Sequence, residues 1–211
     1  MDERAESDLS ERTPVRITLA SSNPGKLREY QVLAGESRIE IALLPNFNDI
    51  PPFEETAPTF AENSAGKALH YSRFASGILL ADDSGLVVPS LNGAPGVYSA
   101  RYAGPNATDE DRFRKLLREM KNKVGRERSA RFVCVSSLAQ NGRILAVVSD
   151  SAEGTITNEP RGSDGFGYDP VFFFEHLGRT YAESTREEKN QYSHRGKAFR
   201  KIIAFLDGQI L

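Results

Sequence analysis

Two adjacent aspartates, Asp82 and Asp83, follow the apolar run Ile78-Leu79-Leu80-Ala81 and lead into Ser84-Gly85. Neighbouring carboxylates repel each other, and a bound divalent cation relieves that repulsion. Ligands of open α/β sheets usually bind beyond the ends of the strands, so acids that end an apolar strand are candidates for metal and phosphate chemistry. In extended backbone, adjacent side chains point to opposite faces. One aspartate therefore faces a ligand while the other supports the turn, and Asp83 is the candidate for the first role.

Four other segments carry polar groups that packing does not require: Ser21 to Lys26, Glu54-Glu55, Glu62 to Lys67, and Gly165 to Asp169 followed by Glu188 to Arg195. Ser21-Ser22-Asn23-Pro24-Gly25-Lys26 lies between a strand pattern and a helix pattern. Free backbone N–H groups, the positive end of the helix dipole and a lysine would together cradle a phosphate there. The segment is not a Walker A loop, because Ala20 stands at its first glycine and Leu27 at its Ser/Thr. An ordinary capped turn with a solvated lysine is the equal alternative. Glu55, on a proline-rich stretch, is a second acid that could ligate a cation or simply be solvated. In Gly165-Phe166-Gly167-Tyr168-Asp169-Pro170 an aromatic sits between two glycines, which frees the backbone to bring Phe166 flat against a ligand ring; a plain Gly-rich turn is the alternative. Base stacking on such a face contributes about 1–3 kcal/mol. Lys189-Asn190 and Ser193-His194-Arg195 add two cations and a histidine beside a helix start.

The elements that must position these groups follow from local signals. Val15–Ser21 alternates as a strand, Asn23-Pro24 caps a helix that runs to Gly35, and Leu44–Pro58, with four prolines, reads as a long loop. Thr59 with Glu62 fits a capping box opening a helix that ends near Gly77, and Thr108 with Asp111 signals another start. Phe113, Leu116, Leu117 and Met120 then recur at core-facing helical spacing. Arg131–Ala139 and Arg143–Ser149 flank Asn141-Gly142, a hairpin signal, so the sheet is expected to be mixed. Phe199, Ile202, Ile203 and Leu206 form the apolar face of a last helix closed by Gly208.

Composition narrows the possibilities. The 211 residues, 39% hydrophobic, suit one substantial domain over residues 15–211 behind a charged, disordered tail over 1–14. A net charge of -2 gives no footprint for a nucleic-acid backbone. No apolar run reaches membrane-spanning length, so a cytoplasmic setting without membrane contact is the expectation. Cys134, the single cysteine, lies in Phe132-Val133-Cys134-Val135 and reads as a buried structural thiol.

Together the segments resemble the inosine triphosphate pyrophosphatase family. The resemblance rests on Ala81-Asp-Asp-Ser-Gly-Leu86, the stretch from Gly93 to Gly104, Gly165 to Pro170, Glu188-Lys-Asn190 and Ser193-His-Arg-Gly196, and covers nearly everything after the tail. Ser64 and Ser22 depart from the usual pattern without removing a reactive group. The resemblance implies an α/β fold with a mixed, twisted central sheet flanked by helices, and two lobes with the active site in the cleft between them. It implies magnesium-dependent hydrolysis of ITP, dITP or XTP to monophosphate and pyrophosphate, and a homodimer. By the same resemblance Asp83 is proton acceptor and magnesium ligand, and Glu55 is the other ligand. Ser21, Ser22, Asn23, Pro24, Gly25, Lys26, Ser84 and Lys189 hold the nucleotide, and Phe166, Gly167, Tyr168, Asp169, His194 and Arg195 contact the base. Lys67, one helical turn beyond Asn63, is added as a triphosphate contact.

Overall fold

Buried Ile17 and Leu19 alternate with more exposed neighbours to make the first strand, β1 (Val15–Leu19). A computed structural model describes residues 14–35 and 37–208. All of the expected tail except Pro14 therefore falls outside the described residues. Asn23 caps α1 (Pro24–Ala34) with its side-chain oxygen and proline occupies the first turn, where its missing N–H costs nothing. The chain continues through β2 (Ile39–Leu43), the proline-rich loop and α2 (Phe60–Tyr71). Thr59 accepts from the Glu62 N–H, but Glu62 returns only to the Thr59 hydroxyl, so half of the capping box forms. The helix ends at Tyr71, with Ser72 as its cap, rather than near Gly77.

The largest departure from expectation is β3. It spans Ile78–Val87, so Asp82-Asp83-Ser84-Gly85 lies inside the strand and not at its end. The cause is β4 (Ser129–Gln140), which runs antiparallel beside it and places Asp82 opposite Ser136, Asp83 opposite Val135 and Ser84 opposite Cys134. A continuous ladder satisfies the backbone of the acidic residues, and no turn is needed. Gly85 suits this course because the Gly96–Arg101 segment crosses it, and a Cβ there would meet the Gly96 carbonyl oxygen at 2.5 Å.

The hairpin turn forms as expected, with Asn141 and Gly142 at φ 51° and 73°. Its second strand, β5 (Arg143–Ile156), is longer than the pattern suggested because β4 pairs with it to Ser129. Short strands β6 (Phe172–Phe174) and β7 (Arg179–Thr180) complete a sheet ordered β2-β1-β3-β4-β5-β6-β7. Only β1 pairs in parallel, with β2 and β3; the other pairings are antiparallel, so the sheet is mixed.

Helices α1 and α5 (His194–Gly208) cover one end of the sheet, where Tyr30, Phe199, Ile202 and Leu206 pack on Ile17, Leu19 and Leu80. Ile203 of the same stripe is only half-buried. A second core joins Phe113 and Leu116 of α3 (Asp109–Glu119) to Leu86, Phe132, Phe172 and Tyr181. Each fully buried Leu contributes on the order of 1.5–3 kcal/mol through removal from water. Between these cores α4 (Arg186–Tyr192) brings Lys189 and Asn190 inward. No helix among the described residues is long and apolar enough to cross a membrane.

Candidate active site

A cleft of about 240 Å³ is bordered by Phe132 and Tyr168 of the second core and by Ala20, Phe47 and Tyr71 of a third apolar cluster, against about 40 Å³ for the depression beside it. Its walls come from the β1–α1 turn, the proline-rich loop, α2, β3, the start of α3, the Gly165–Asp169 segment and the start of α5. Every residue assigned from the sequence borders it except Pro24 and Gly25.

At one end stand Ser21, Ser22, Asn23, Lys26, Glu55, Lys67, Asp83 and Ser84. The turn is tighter than a free cradle. Asn23 Oδ1 accepts from the Gly25 and Lys26 N–H groups at 2.8 and 3.3 Å, and Ser21 Oγ accepts from Asn23 N–H. An anion would therefore meet hydroxyls and lysines rather than those amides. Lys26 Nζ lies 3.0 Å from Asp82 Oδ1, and Lys67 Nζ donates to the Asp82 carbonyl at 3.1 Å while pairing with Glu55.

Alternation along β3 separates the two aspartates as expected. Asp82 is 1% exposed and faces Lys26 and Arg195. Burial pushes its pKa up, but those cations outweigh burial and hold it well below the usual carboxylate range. Asp83 faces the cleft, where its Oδ2 accepts from Asn63 Nδ2 at 3.1 Å. Burial first, then nearby Glu55, push its pKa up to about 6, against the pull of Lys26 and Lys67. Asn63 also clasps both backbone groups of Ala57, and Arg101 donates to the Glu55 carbonyl at 2.8 Å, so the proline-rich loop is pinned where it presents its acid.

The raised pKa of Asp83 has a consequence for stability. A carboxyl whose folded pKa lies above its unfolded value destabilises the charged fold, with the effect growing from about pH 4 to pH 6. We therefore expect Asp83→Asn, measured by denaturation in chelator at about pH 8, to be more stable than wild type by on the order of 1–2 kcal/mol. The difference should close below about pH 4. A variant less stable than wild type at both pH values would contradict this account.

The other end of the cleft is aromatic and cationic. Gly165 and Gly167, at φ 78° and 65°, flank Phe166. The Phe166 N–H is held by Asp169 Oδ2 at 2.8 Å, the Gly167 N–H by Asp109 Oδ2 at 2.7 Å, and Tyr168 donates its hydroxyl to the Ser99 carbonyl. Lys189 Nζ contacts Glu29 and Asp169, each at 2.6 Å, and lies 4.9 Å from the Phe166 ring centre. Arg195 is committed to Glu29, Asp82 and Ser84. Its guanidinium thus organises the site from within, a role the sequence reading did not foresee. His194 stacks on Phe132, with centres 4.8 Å apart and planes at 9°, and burial followed by Arg195 keeps it neutral. Its Nδ1 is buried without a partner among the described residues. Cys134 is fully buried, and burial raises its thiol to about 11, as suits a structural residue.

Four contributors escaped the sequence reading: Glu29, Asn63 in its role as the partner of Asp83, Asp109, and Arg112, which lines the cleft and pairs with Asp109. Glu29 and Asp109 sit in helices whose visible signals were caps and apolar stripes. Only an acid on the buried face of α1, three residues past Lys26, could have drawn notice.

The model of the Ham1 family matches residues 17–205. The dITP/XTP pyrophosphatase of Geobacillus kaustophilus (strain HTA426) is 47% identical over 186 residues, covering 88% of this chain and 91% of that protein. The dITP/XTP pyrophosphatase of Desulfotalea psychrophila (strain LSv54 / DSM 12343) is 46% identical over 188 residues, covering 89% and 83%. Among solved structures, a HAM1 protein from Coxiella burnetii superposes with a TM-score of 0.81 at 43% identity, covering 92% of this chain and 99% of that one. The Staphylococcus aureus Ham1 protein gives 0.80 at 38%, with the same coverage.

Proposed function

The chain belongs to the Ham1 family, and on that premise we propose that it hydrolyses the non-canonical purine nucleoside triphosphates ITP, dITP and XTP to the monophosphate and pyrophosphate, clearing them from the nucleotide pool. The observation that carries this reading is Asp83, a buried, cleft-facing carboxyl held by Asn63 and set beside Glu55 and Lys67. A carboxylate fixed within reach of a reacting water can accept its proton.

In this reading Asp83 orients a water and takes its proton as the oxygen attacks the α-phosphorus. The bond from that phosphorus to the bridging oxygen breaks, and pyrophosphate departs. Lys26 and Lys67, already gathered around Asp82, meet its charge. No covalent intermediate with the chain is required.

No cluster of three or more His, Cys, Asp or Glu ligands occurs among the described residues. Two close carboxylates still fit magnesium, which usually takes one or two protein acids and completes its shell with water and substrate phosphate. Glu55 and Asp83 would hold the ion, which would supply charge neutralisation at the phosphates.

At the base end, Phe166 offers its face for stacking. Lys189 is paired with Glu29 and Asp169, and the terminal nitrogens of Arg195 are taken by Glu29, Asp82 and Ser84, so the nitrogens left to meet a 6-oxo group are Nε of Arg195 and, in the tautomer that carries its proton there, Nδ1 of His194. A 6-amino group would set donor against donor and leave a buried donor unpaired, which costs about 1–3 kcal/mol. A homodimer belongs to the same proposal and rests on the resemblance, and a cytoplasmic setting is proposed with it.

The test is to analyse products from ITP with magnesium. IMP and pyrophosphate are expected, with loss of turnover in chelator and at least roughly tenfold lower kcat/KM for ATP. Orthophosphate as the first product, or equal hydrolysis of ITP and ATP, would refute the proposal.

A further inference from the structure

Two residues of the Ser21–Lys26 turn stand off the cleft; Pro24 is explained by its place in the first turn of α1, and Gly25 is not. It is buried, yet it borders the smaller depression, with Phe166 beside it, and not the main cleft. Its amide is already taken by Asn23 Oδ1. It lies in the first turn of α1 and is not among the glycines with positive φ, so backbone geometry does not demand it. Alanine is the better helix former at such a position. What requires glycine first is the neighbour across the gap: a Cβ on Gly25 would stand 2.7 Å from Phe166 Cδ1 and 3.0 Å from Cε1, and also 3.0 Å from the capping oxygen Asn23 Oδ1.

Phe166 cannot yield by shifting its backbone. Its own N–H is fixed by Asp169, and the next N–H by Asp109. Lys189 lies 4.9 Å and Arg195 5.8 Å from the ring centre. The ring itself would have to turn, and it borders both depressions.

We propose that Gly25 is a positioning residue for purine recognition: its missing side chain lets the phosphate-end turn set the Phe166 ring that stacks on the base. This rests on the reading of Phe166 given above. The turn then serves both ends of the substrate, with Ser21, Ser22 and Lys26 toward the phosphates and Gly25 toward the aromatic platform. A substrate lacking a base would not sense the substitution.

The experiment compares wild type, Gly25→Ala, Phe166→Leu and the double variant, reading KM and kcat for ITP, the Ki of inorganic tripolyphosphate as competitor, and Tm. Gly25→Ala is expected to raise the KM for ITP about fivefold or more, the low end of one lost stacking contact. The Ki of tripolyphosphate should stay within about twofold of wild type, since that probe has no ring to stack. In the Phe166→Leu background the substitution should change KM less than about twofold, because the ring it displaces is gone. A drop in Tm for Gly25→Ala that disappears in the double variant supports the same clash. Equal rises in KM and Ki, an unchanged KM, a Tm loss in both backgrounds, or fully multiplicative effects in the double variant would overturn the proposal. Failure of the underlying reading looks different: wild type would release no pyrophosphate from ITP, or Phe166→Leu would leave KM unaltered.

Discussion

Asp83→Asn should lower kcat for ITP by about 10²–10⁴, the usual contribution of a positioned general base. The carboxyl that takes the proton becomes an amide, while the β3–β4 ladder on either side is backbone and unaffected. KM should move little. Far-ultraviolet circular dichroism should match wild type, and in chelator the variant should be the more stable protein, as argued above. Asp82→Asn is the informative contrast. Asp82 faces Lys26 and Arg195 and not the cleft, so its loss leaves Lys26 without its acid and Arg195 with Glu29 alone. That variant should lose stability and retain more turnover than Asp83→Asn. An Asp83→Asn enzyme within about tenfold of wild-type kcat would remove Asp83 from the role of base.

The division between these aspartates was legible in the sequence because alternation in extended chain is a local rule. Their place within a strand was not, because it depends on β4, some fifty residues further on. Capping signals were equally local. Asn23, Thr108 and the Asn141-Gly142 turn read correctly, since each side chain or backbone choice acts within three or four residues. The candidate list from Ser21 to Arg195 gathers around one cleft, apart from Pro24 and Gly25. Roles were harder to read than membership. The resemblance implies that Arg195 contacts the base; Arg195 does line the cleft, and its guanidinium, with five donors, also gathers the carboxylates around it. Here those are Glu29, 166 residues away along the chain, and Asp82. Asp109 shows the same limit from the other side: it opens α3 in sequence, yet its second oxygen holds the amide beside Phe166.

Glu29→Gln has the largest expected effect on stability. Asp169, Lys189, Glu29, Arg195, Asp82 and Lys26 form a line of alternating charge linking the two ends of the cleft. Glu29 stands inside it, 5% exposed, with one oxygen on Lys189 and the other on Arg195. Burial alone would push its pKa up, but those two cations bring it down to about 2. Gln keeps the shape and removes the charge, so Lys189 and Arg195 lose a shared counterion in a buried setting. Breaking such a pair on one side costs about 3–5 kcal/mol. Denaturant unfolding near neutral pH should show that loss as a lower midpoint with an unchanged m-value. The dependence on pH identifies the cause. A carboxylate with a folded pKa below its unfolded value stabilises the fold above about pH 4.5, and that stability disappears as pH falls toward the folded pKa. The gap between wild type and Glu29→Gln should therefore be widest above about pH 5 and narrow steadily toward pH 2. A gap that stays constant with pH would mean that Glu29 acts through packing, and a gap below about 1 kcal/mol would mean that the line of charges does not stabilise the cleft. If the gap closes as expected, the residues flanking the base are held by charges running unbroken to the phosphate end, and substitutions at either end should alter the other.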